Sequence, residues 1–485
     1  MRFLDLGVIL AYLVAVTWFG ARFRHGQKTL KDYFLGGRNA PWWAIGLSIV
    51  SAETSTLTIV GTPGLSFAGN FGFLQIVFGY LLARIVISLL FLPQYFRGQM
   101  FTAYELMQRR FGSRIRKVTA ATFLVTRALA EGVRVFAISI VISIVLGTGE
   151  VASIILIVCL TLVYTFEGGM TAVIWTDVVQ MTMYVLGAIL SFGIILSKIP
   201  GGWPHVLDVA RSAGKLQVFN YSFALDQPYT IWAGILGGCF LTTASHGTDQ
   251  LIVQRLLSAK SESQSRAALF ASWGVIFFQF VLFLLVGVSL FVYYGDAHLA
   301  APKPLDRLYP QFIWDNLPVG IAGLVVAAIL AAAMANLSAA LNSLASTTVM
   351  DFYRPLAGSP DGKPDGKPDD RRLLGYARVA TVVWGVVLVL IGVVASHWGS
   401  VLESGLSIAS VTLGMLLGVF LLGVLTKRVG EKAAIAGVLA GLAAILYVKF
   451  QTRIAYTWWV MIGSMATFSV GLLSSYFIKG ESCPN

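Results

Sequence analysis

The chain has 485 residues, of which 57% are hydrophobic and only 12% are charged, and its mean hydropathy is +0.77. Soluble domains carry about 25% charged residues, so this composition excludes a soluble enzyme and predicts a polytopic membrane protein. The formal net charge of +12 would suit nucleic acid, but the charge distribution has a simpler cause, and we expect no nucleic-acid partner.

Apolar runs predict about thirteen transmembrane helices, since a helix of about 20 residues crosses a bilayer. The runs are far longer than the roughly ten residues of a transmembrane β-strand. The predicted fold class is therefore an all-α polytopic membrane protein. The spans are expected near 3–21, 42–69, 71–96, 118–146, 150–167, 172–197, 230–256, 266–294, 317–350, 375–396, 401–424, 432–449 and 456–478.

Basic residues are concentrated in every second loop, which is the positive-inside pattern. With an odd number of spans, the pattern predicts an N-terminus outside and a C-terminus in the cytoplasm. We expect a multi-pass protein of a bacterial inner (plasma) membrane. The basic loop residues are Arg22, Arg24, Lys28, Lys31, Arg38, Arg97, Arg109, Arg110, Arg114, Arg116, Lys117, Arg255, Lys260, Arg266, Arg354, Lys363, Lys367, Arg371, Arg372, Lys427, Arg428 and Lys432.

The second span is unusually polar in its middle. Residues 48–61 read SIVSAETSTLTIVG and include Glu53, and Pro63 follows between two glycines. A helix that unwinds within a membrane exposes carbonyls, and does so only beside protein or a water-filled cavity. Carbonyl and hydroxyl oxygens suit a hard cation, and the helix N-terminus at such a break suits an anion.

The seventh span shows the same feature at residues 239–250, CFLTTASHGTDQ. Interrupted helices at corresponding places in two halves indicate the binding site of a transporter. The alternative is a pair of tightly packed helices whose Ser and Thr side chains bond to their own backbone. His246 in this span is a candidate proton carrier, or a histidine satisfied by hydrogen bonds. Ser245 and His246 point apart on one helix, so no hydrolase triad forms, and we predict no enzyme.

The fourth span carries Arg127, Glu131 and Arg134 on one side of the helix, at i, i+4 and i+7. Arg127 and Glu131 can neutralise each other. Arg134 is then a surplus positive charge that can meet a solute carboxylate or a buried acid such as Glu53, with structural pairing as the alternative. Arg84 in the third span raises the same question, with snorkelling to the interface as its alternative.

The sixth and ninth spans add further polar groups. Asp177 lies just inside the sixth span, within GGMTAVIWTDVVQM (168–181). The ninth span, AAAMANLSAALNSLASTTVMDFY (331–353), places small and polar residues on one broad face. Small residues allow close helix contact, whereas Asn336 and Ser338 add oxygens that packing does not require.

The chain resembles the sodium:solute symporter family, which includes sodium–glucose, proline and sialic acid carriers. The resemblance runs over about residues 5–425 and is carried by YFLGGRNAPWWAIGLSIVSAETS (33–55), GGMTAVIWTDVVQ (168–180), GTDQLIVQRLLSAKS (247–261) and LNSLASTTVMDFY (341–353). It implies a LeuT-like fold and alternating access, in which sodium and solute each tighten the binding of the other.

The resemblance also implies a division of the chain. Residues 1–40 form a first helix and a cytoplasmic loop. Two inverted five-helix repeats follow, at 41–198 (helices 2–6) and at 199–425 (an outer loop and helices 7–11). Residues 426–485 hold helices 12 and 13.

In this family the principal sodium ion lies between the broken second helix and the ninth helix. By motif matching, Na⁺ is the implied coupling ion. Glu53 would supply negative charge, and some relatives hold a second sodium at positions matched by Asp177 and Ser338. The implied ligands of the principal ion are Ser51, Thr54, Ala332, Ala335 and Asn336. The last two stand where members usually carry hydroxyl residues.

The resemblance identifies the solute-binding residues less well than the sodium ligands. Val77 stands where the sugar carriers have an acidic residue that binds the sugar, so the resemblance does not imply the standard galactose pocket. The candidate solute residues are Thr58, Tyr80, Arg127, Glu131, Arg134, Asp249 and Gln250. We predict a monomer in the lipid bilayer that imports a small polar organic solute (sugar, sugar acid or other carboxylate) with sodium. A proton-coupled carrier on the same fold and a transporter-like sensor are the alternatives.

Overall fold

A computed structural model describes residues 2–21, 35–97, 103–164, 170–353 and 370–478, and the regular structure in these ranges is helical. The α-helices are α1 (Phe3–Ala21), α2 (Trp42–Glu53), α3 (Thr56–Ala68), α4 (Leu74–Val86), α5 (Leu92–Phe96), α6 (Ala103–Phe111), α7 (Ser113–Leu146), α8 (Glu150–Tyr164), α9 (Met170–Lys198), α10 (Gly202–Ser212), α11 (Gly238–Gly247), α12 (Gln250–Leu257), α13 (Glu262–Asp296), α14 (Leu308–Asn316), α15 (Ile321–Thr347), α16 (Asp370–Ala395), α17 (Val401–Leu425), α18 (Glu431–Gln451) and α19 (Trp459–Phe477).

Shorter helical pieces complete the described chain. The 3-10 helices are Gly36–Arg38, Phe71–Phe73, Leu305–Arg307 and Tyr456–Trp458, and the π-helical segments are Ile87–Phe91, Ala233–Gly237 and Thr348–Tyr353. Much of the predicted basic loops at residues 22–38 and 354–372 lies outside the described residues.

The structure confirms a helical multi-pass membrane protein but not the count of thirteen spans. In the described ranges, nine helices are long and apolar enough to cross a membrane, or ten when the bent pair α2–α3 counts as one. The apolar stretches Phe3–Val16 and Glu150–Leu162 are shorter. The predicted seventh span divides into pieces, because α11 has 10 residues and α12 has 8.

Both predicted helix breaks are present. α2 ends at Glu53, and α3 starts at Thr56 after a bend of 65°. α11 ends at Gly247, and α12 starts at Gln250. Between α11 and α12, Asp249 has extended backbone (φ −78°, ψ 128°), and its side chain accepts a hydrogen bond from an amide of α12.

The breaks lie inside the helix bundle. α2 packs against α9 and α13, and α3 packs against α13 and α17. α11 packs against α4 and α17, while α15 packs against α1, α7 and α9. Thr54 and Thr248, at the two breaks, are buried. The unwound backbone is therefore surrounded by protein, as a membrane interior requires.

Glycines set the distance between α4 and the second broken helix. A Cβ atom on Gly234 would lie 2.5 Å from the backbone carbon and oxygen of Gln75, and one on Gly79 would lie 2.2 Å from the Gly234 carbonyl oxygen. Small residues are the usual means of bringing membrane helices into close contact. The position of the second break therefore depends on residues with no side chain at this crossing.

We predict that Gly234→Ala lowers the melting temperature of the purified protein, because overpacking a close contact costs about 1–3 kcal/mol. Gly274→Ala is the matched control: a Cβ atom there meets nothing within 4 Å, and alanine favours a helix. Equal melting temperatures for the two variants would contradict this account of the crossing.

A buried carboxyl lies where the 3-10 helix Leu305–Arg307 meets α17. Asp306 is 4% exposed, and its Oδ2 accepts a hydrogen bond from the Val401 amide at 3.1 Å. Burial raises the pKa of this carboxyl from 3.8 to about 6, with a smaller upward contribution from Glu403 and an opposing one from the Val401 amide. Ionised Asp306 is therefore a destabilising group at neutral pH.

We predict that Asp306→Asn raises the melting temperature at about pH 7.5 more than at about pH 5. The folded carboxyl keeps its proton up to about pH 6, whereas the unfolded one loses it near 3.8. Stability is therefore lost as pH rises through this window, by up to about 3 kcal/mol at 1.36 kcal/mol per pKa unit. An equal rise in melting temperature at both pH values would contradict a raised pKa of Asp306 in the folded protein.

Candidate functional site

A small pocket lies beside the break of the first broken helix. It is formed by the start of α3 together with α7 and α15. Its lining residues are Ser55, Thr56, Glu131, Arg134, Val135, Ile138, Ala333, Asn336 and Leu337. The pocket thus brings together the helix break, the charged side of α7 and the polar face of α15, which the sequence analysis had treated separately.

The charged wall of the pocket is built from three residues of α7. Glu131 is 1% exposed and accepts from two guanidinium groups, Arg127 at 2.9 Å and Arg134 at 2.5 Å. The predicted Arg127–Glu131 pair is present, and Arg134 pairs with Glu131 rather than with Glu53. Arg134 Nε is buried with no hydrogen-bond partner among the described residues. Two cations share one carboxylate, so these three residues carry one net positive charge.

The backbone at the first break has left the helical hydrogen-bond pattern. In a continued helix, the Ser55 amide would donate to the Ser51 carbonyl, but it donates to the Glu53 carbonyl at 3.0 Å. The Thr58 amide donates to the Ser55 carbonyl at 2.9 Å, not to that of Thr54. The carbonyls of Ser51 and Thr54 are thereby released from these helical bonds, as a cation site made of backbone oxygens requires.

The side chains of these two residues have protein partners. The Thr54 hydroxyl donates to Gln279 Oε1 at 2.9 Å, and the Ser51 hydroxyl donates to Asp177 Oδ1 at 3.3 Å. The hydroxyl protons of Ser51 and Thr54 are thus already used within the protein, whereas their carbonyl oxygens are released at the break. Gln279, on α13, was missed by the sequence analysis, although it is a lone polar residue within the apolar run VIFFQFVLF.

The implied α15 residues lie on neighbouring turns. Asn336 lines the pocket, whereas Ala332 and Ala335 can offer only backbone oxygens. In the described residues, no group of three or more His, Cys, Asp or Glu is placed to hold a metal ion. A cation here would be held by carbonyl, hydroxyl and amide oxygens, a donor set that suits a hard ion.

Glu53, the predicted supporting charge, lies in a buried cluster. Its Oε2 contacts Arg84 Nη2 at 3.0 Å and His246 Nε2 at 2.9 Å. The snorkelling alternative for Arg84 is wrong, because the residue is 0% exposed. The interpretation of His246 as a hydrogen-bonded histidine agrees with the structure, since its Nδ1 also contacts the Ser245 hydroxyl at 2.9 Å.

Asp177 has a partner that the sequence analysis assigned to a loop. Arg255 is 5% exposed, and its Nη2 contacts Asp177 Oδ2 at 2.9 Å. Ser48 on α2 lies between them: its hydroxyl donates to Asp177 at 2.5 Å, and Arg255 Nε lies 2.9 Å from its oxygen. Arg255 was misassigned because it lies at the predicted end of the seventh span.

Ser338, the other residue of the implied second sodium site, is buried on α15.

Five predicted solute residues, Arg127 and the four described next, are not among those that line the pocket. Asp249 caps α12, accepting from the Leu251 amide at 2.8 Å, and Gln250 is the first residue of that helix. Thr58 and Tyr80 are buried on α3 and α4. Glu131 and Arg134 do line the pocket, together with Ser55 and Thr56, which the analysis did not single out although they follow Thr54 directly.

Comparisons with known proteins agree with this architecture. The sequence model of the sodium:solute symporter family matches residues 33–441. The sodium/sialic acid symporter NanT of Aliivibrio fischeri is 27% identical over 98% of this chain and 93% of its own. The sodium/sialic acid symporter SiaT of Proteus mirabilis is 28% identical over 98% of this chain and 95% of its own.

A solved structure shows the same fold. It is a Na⁺-coupled sialic acid symporter in a substrate-bound, outward-open state, with a TM-score of 0.83 and 26% identity over 99% of each chain. The fold is therefore that of the LeuT-like sodium-coupled carriers.

We predict that Asp177→Asn lowers the melting temperature even in sodium-free, potassium-containing buffer. The variant leaves the Arg255 guanidinium buried without its carboxylate, which typically costs about 3–5 kcal/mol. Arg266→Gln is the control, because the pair of Arg266 with Glu262 is partly exposed and such pairs contribute about 1 kcal/mol or less. Unchanged stability in potassium, with loss of stabilisation by sodium alone, would show that Asp177 holds an ion instead.

Proposed function

Because the chain belongs to the sodium:solute symporter family, we propose that it is a secondary active transporter that carries a small carboxylated solute into the cell with Na⁺. Sodium-coupled symport of a small organic solute is the activity of the family. A sugar acid or other carboxylate as the solute is our own inference, and the pocket on α7 supports it.

The surplus positive charge of that pocket is the observation that carries the proposal. Arg134 lines the pocket, shares Glu131 with Arg127, and keeps its Nε without a partner among the described residues. A guanidinium group presents a planar set of donors that matches a carboxylate. The hydroxyls of Ser55 and Thr56, which also line the pocket, can bind further oxygens of the solute.

The sodium ion is proposed to lie at the first break, between α2 and α15. The carbonyls of Ser51 and Thr54, released from helical bonds, would provide two ligands. The carbonyls of Ala332 and Ala335 and the amide oxygen of Asn336 would supply the others. Asn336 also lines the solute pocket, so the ion and the solute would share a wall, and each would favour the conformation that the other binds.

The proposed cycle is alternating access by two inverted repeats, residues 41–198 and 199–425, in a monomer with its N-terminus outside. Each repeat would begin with one of the two broken helices. Proton coupling is a second candidate, favoured by the buried contact between His246 and Glu53.

We predict that sialic acid or another sugar acid raises the melting temperature of the protein in sodium but not in potassium, because a ligand that binds the native state stabilises it. Neutral sugars and amino acids serve as comparisons. A shift of equal size in both salts that changes with pH would favour proton coupling.

Arg134→Gln should weaken binding of the carboxylated solute by about tenfold or more, equivalent to about 1.4 kcal/mol. The measurement is the solute concentration that gives half-maximal thermal stabilisation at saturating sodium. Arg266→Gln removes a partly exposed arginine outside the pocket and should leave this value unchanged. Unaltered binding by Arg134→Gln would show that the anion contacts another group.

A further inference from the structure

Glu53 is placed where a carboxylate is electrostatically unfavourable. It is the last residue of α2, and the C-terminal end of a helix carries partial negative charge. Its side chain is 13% exposed, so water screens this charge poorly. The carboxylate therefore needs cationic or donor partners, and its Oε2 has two, Arg84 at 3.0 Å and His246 at 2.9 Å.

Arg84 is rigidly held. It is fully buried, and its Nε donates to the Leu269 carbonyl at 3.1 Å and lies 3.3 Å from the Ser272 hydroxyl, both on α13. Its Nη1 donates to the Tyr80 carbonyl of α4 at 3.2 Å. The planar guanidinium fixes the directions of these bonds. Arg84 thus fastens the end of α2 to two unbroken helices.

His246 reaches the same carboxylate oxygen from the second broken helix. It lies in the last turn of α11, two residues before the break at Thr248, and is 2% exposed. Its other ring nitrogen contacts the Ser245 hydroxyl at 2.9 Å. One oxygen of Glu53 therefore joins the end of α2 to the end of α11, the segments that precede the two breaks.

We propose that Arg84 and His246 are positioning residues for the sodium site: through Glu53 they hold the released carbonyls of the first break, so that the second broken helix controls ion binding at the first. This inference rests on the proposed sodium-coupled function. None of the three side chains needs to touch the ion, because Ser51 and Thr54 lie within two residues of Glu53 on the same backbone. A shift of α11 would displace Glu53 and change the ion site.

The test is the sodium concentration that gives half-maximal thermal stabilisation of the full-length purified protein, with potassium keeping ionic strength constant. Arg84→Met and His246→Asn should each raise this concentration about tenfold or more. The double variant should be no worse than the more severe single variant, because residues that act as one unit are not additive. His246→Gln, which restores a donor of longer reach, should recover most of the sodium affinity.

Lys215→Met is the matched control for removing a buried cation. Lys215 Nζ donates to the carbonyls of Phe67 and Ala68 at the end of α3, at 2.6 and 3.1 Å. This variant should lower the melting temperature without moving the sodium concentration. If Arg84→Met does not fold, the comparison of His246→Asn with His246→Gln carries the test.

Half-maximal sodium concentrations within twofold of the unaltered protein, despite lower melting temperatures, would overturn the proposal and leave the cluster a purely structural role. Additive effects of Arg84→Met and His246→Asn would also overturn it. If sodium fails to stabilise even the unaltered protein, the proposed function itself is wrong. The two failures are therefore distinguishable.

Discussion

A backbone that leaves the helix inside a membrane must find all of its hydrogen-bond partners in protein or in a polar cavity. This constraint governs the structure around residues 53–58. The Ser55 and Thr58 amides turn to new acceptors and release the carbonyls of Ser51 and Thr54. Because α2 packs against α9 and α13 and both residues are buried, the released oxygens lie within protein, where we propose that an ion replaces the lost donors.

Charge balance gives the buried polar groups their separate roles. Asp177 is matched by Arg255, and Glu53 is matched by Arg84 with His246 as a further neighbour. These clusters bind the halves of the broken helices to their surroundings. On α7 the charges do not cancel, because the one carboxylate of Glu131 pairs with the two arginines Arg127 and Arg134. The net positive charge there lies at the pocket, which is why we propose an anionic solute for this site.

The sequence predicted both breaks because polar residues inside long apolar runs have a local physical cause. It also predicted the Arg127–Glu131 pair, since helical spacing places those residues on one side of α7. It did not predict that Arg255 reaches Asp177, or that Arg84 and His246 meet on Glu53. These contacts join residues far apart in the chain, and a single sequence does not say which distant helices touch. The count of thirteen spans is not confirmed, because apolar length alone does not distinguish a full span from a shorter or divided helix.

The most direct measurement is uptake of labelled sialic acid by liposomes containing the purified protein, with an imposed inward sodium gradient. The account predicts accumulation that follows the sodium gradient, collapses when potassium replaces sodium, and is lost in Arg134→Gln. A sugar-acid panel measured in parallel covers other carboxylated solutes. Accumulation driven equally well by a proton gradient without sodium, or no carboxylated solute transported at all, would contradict the account.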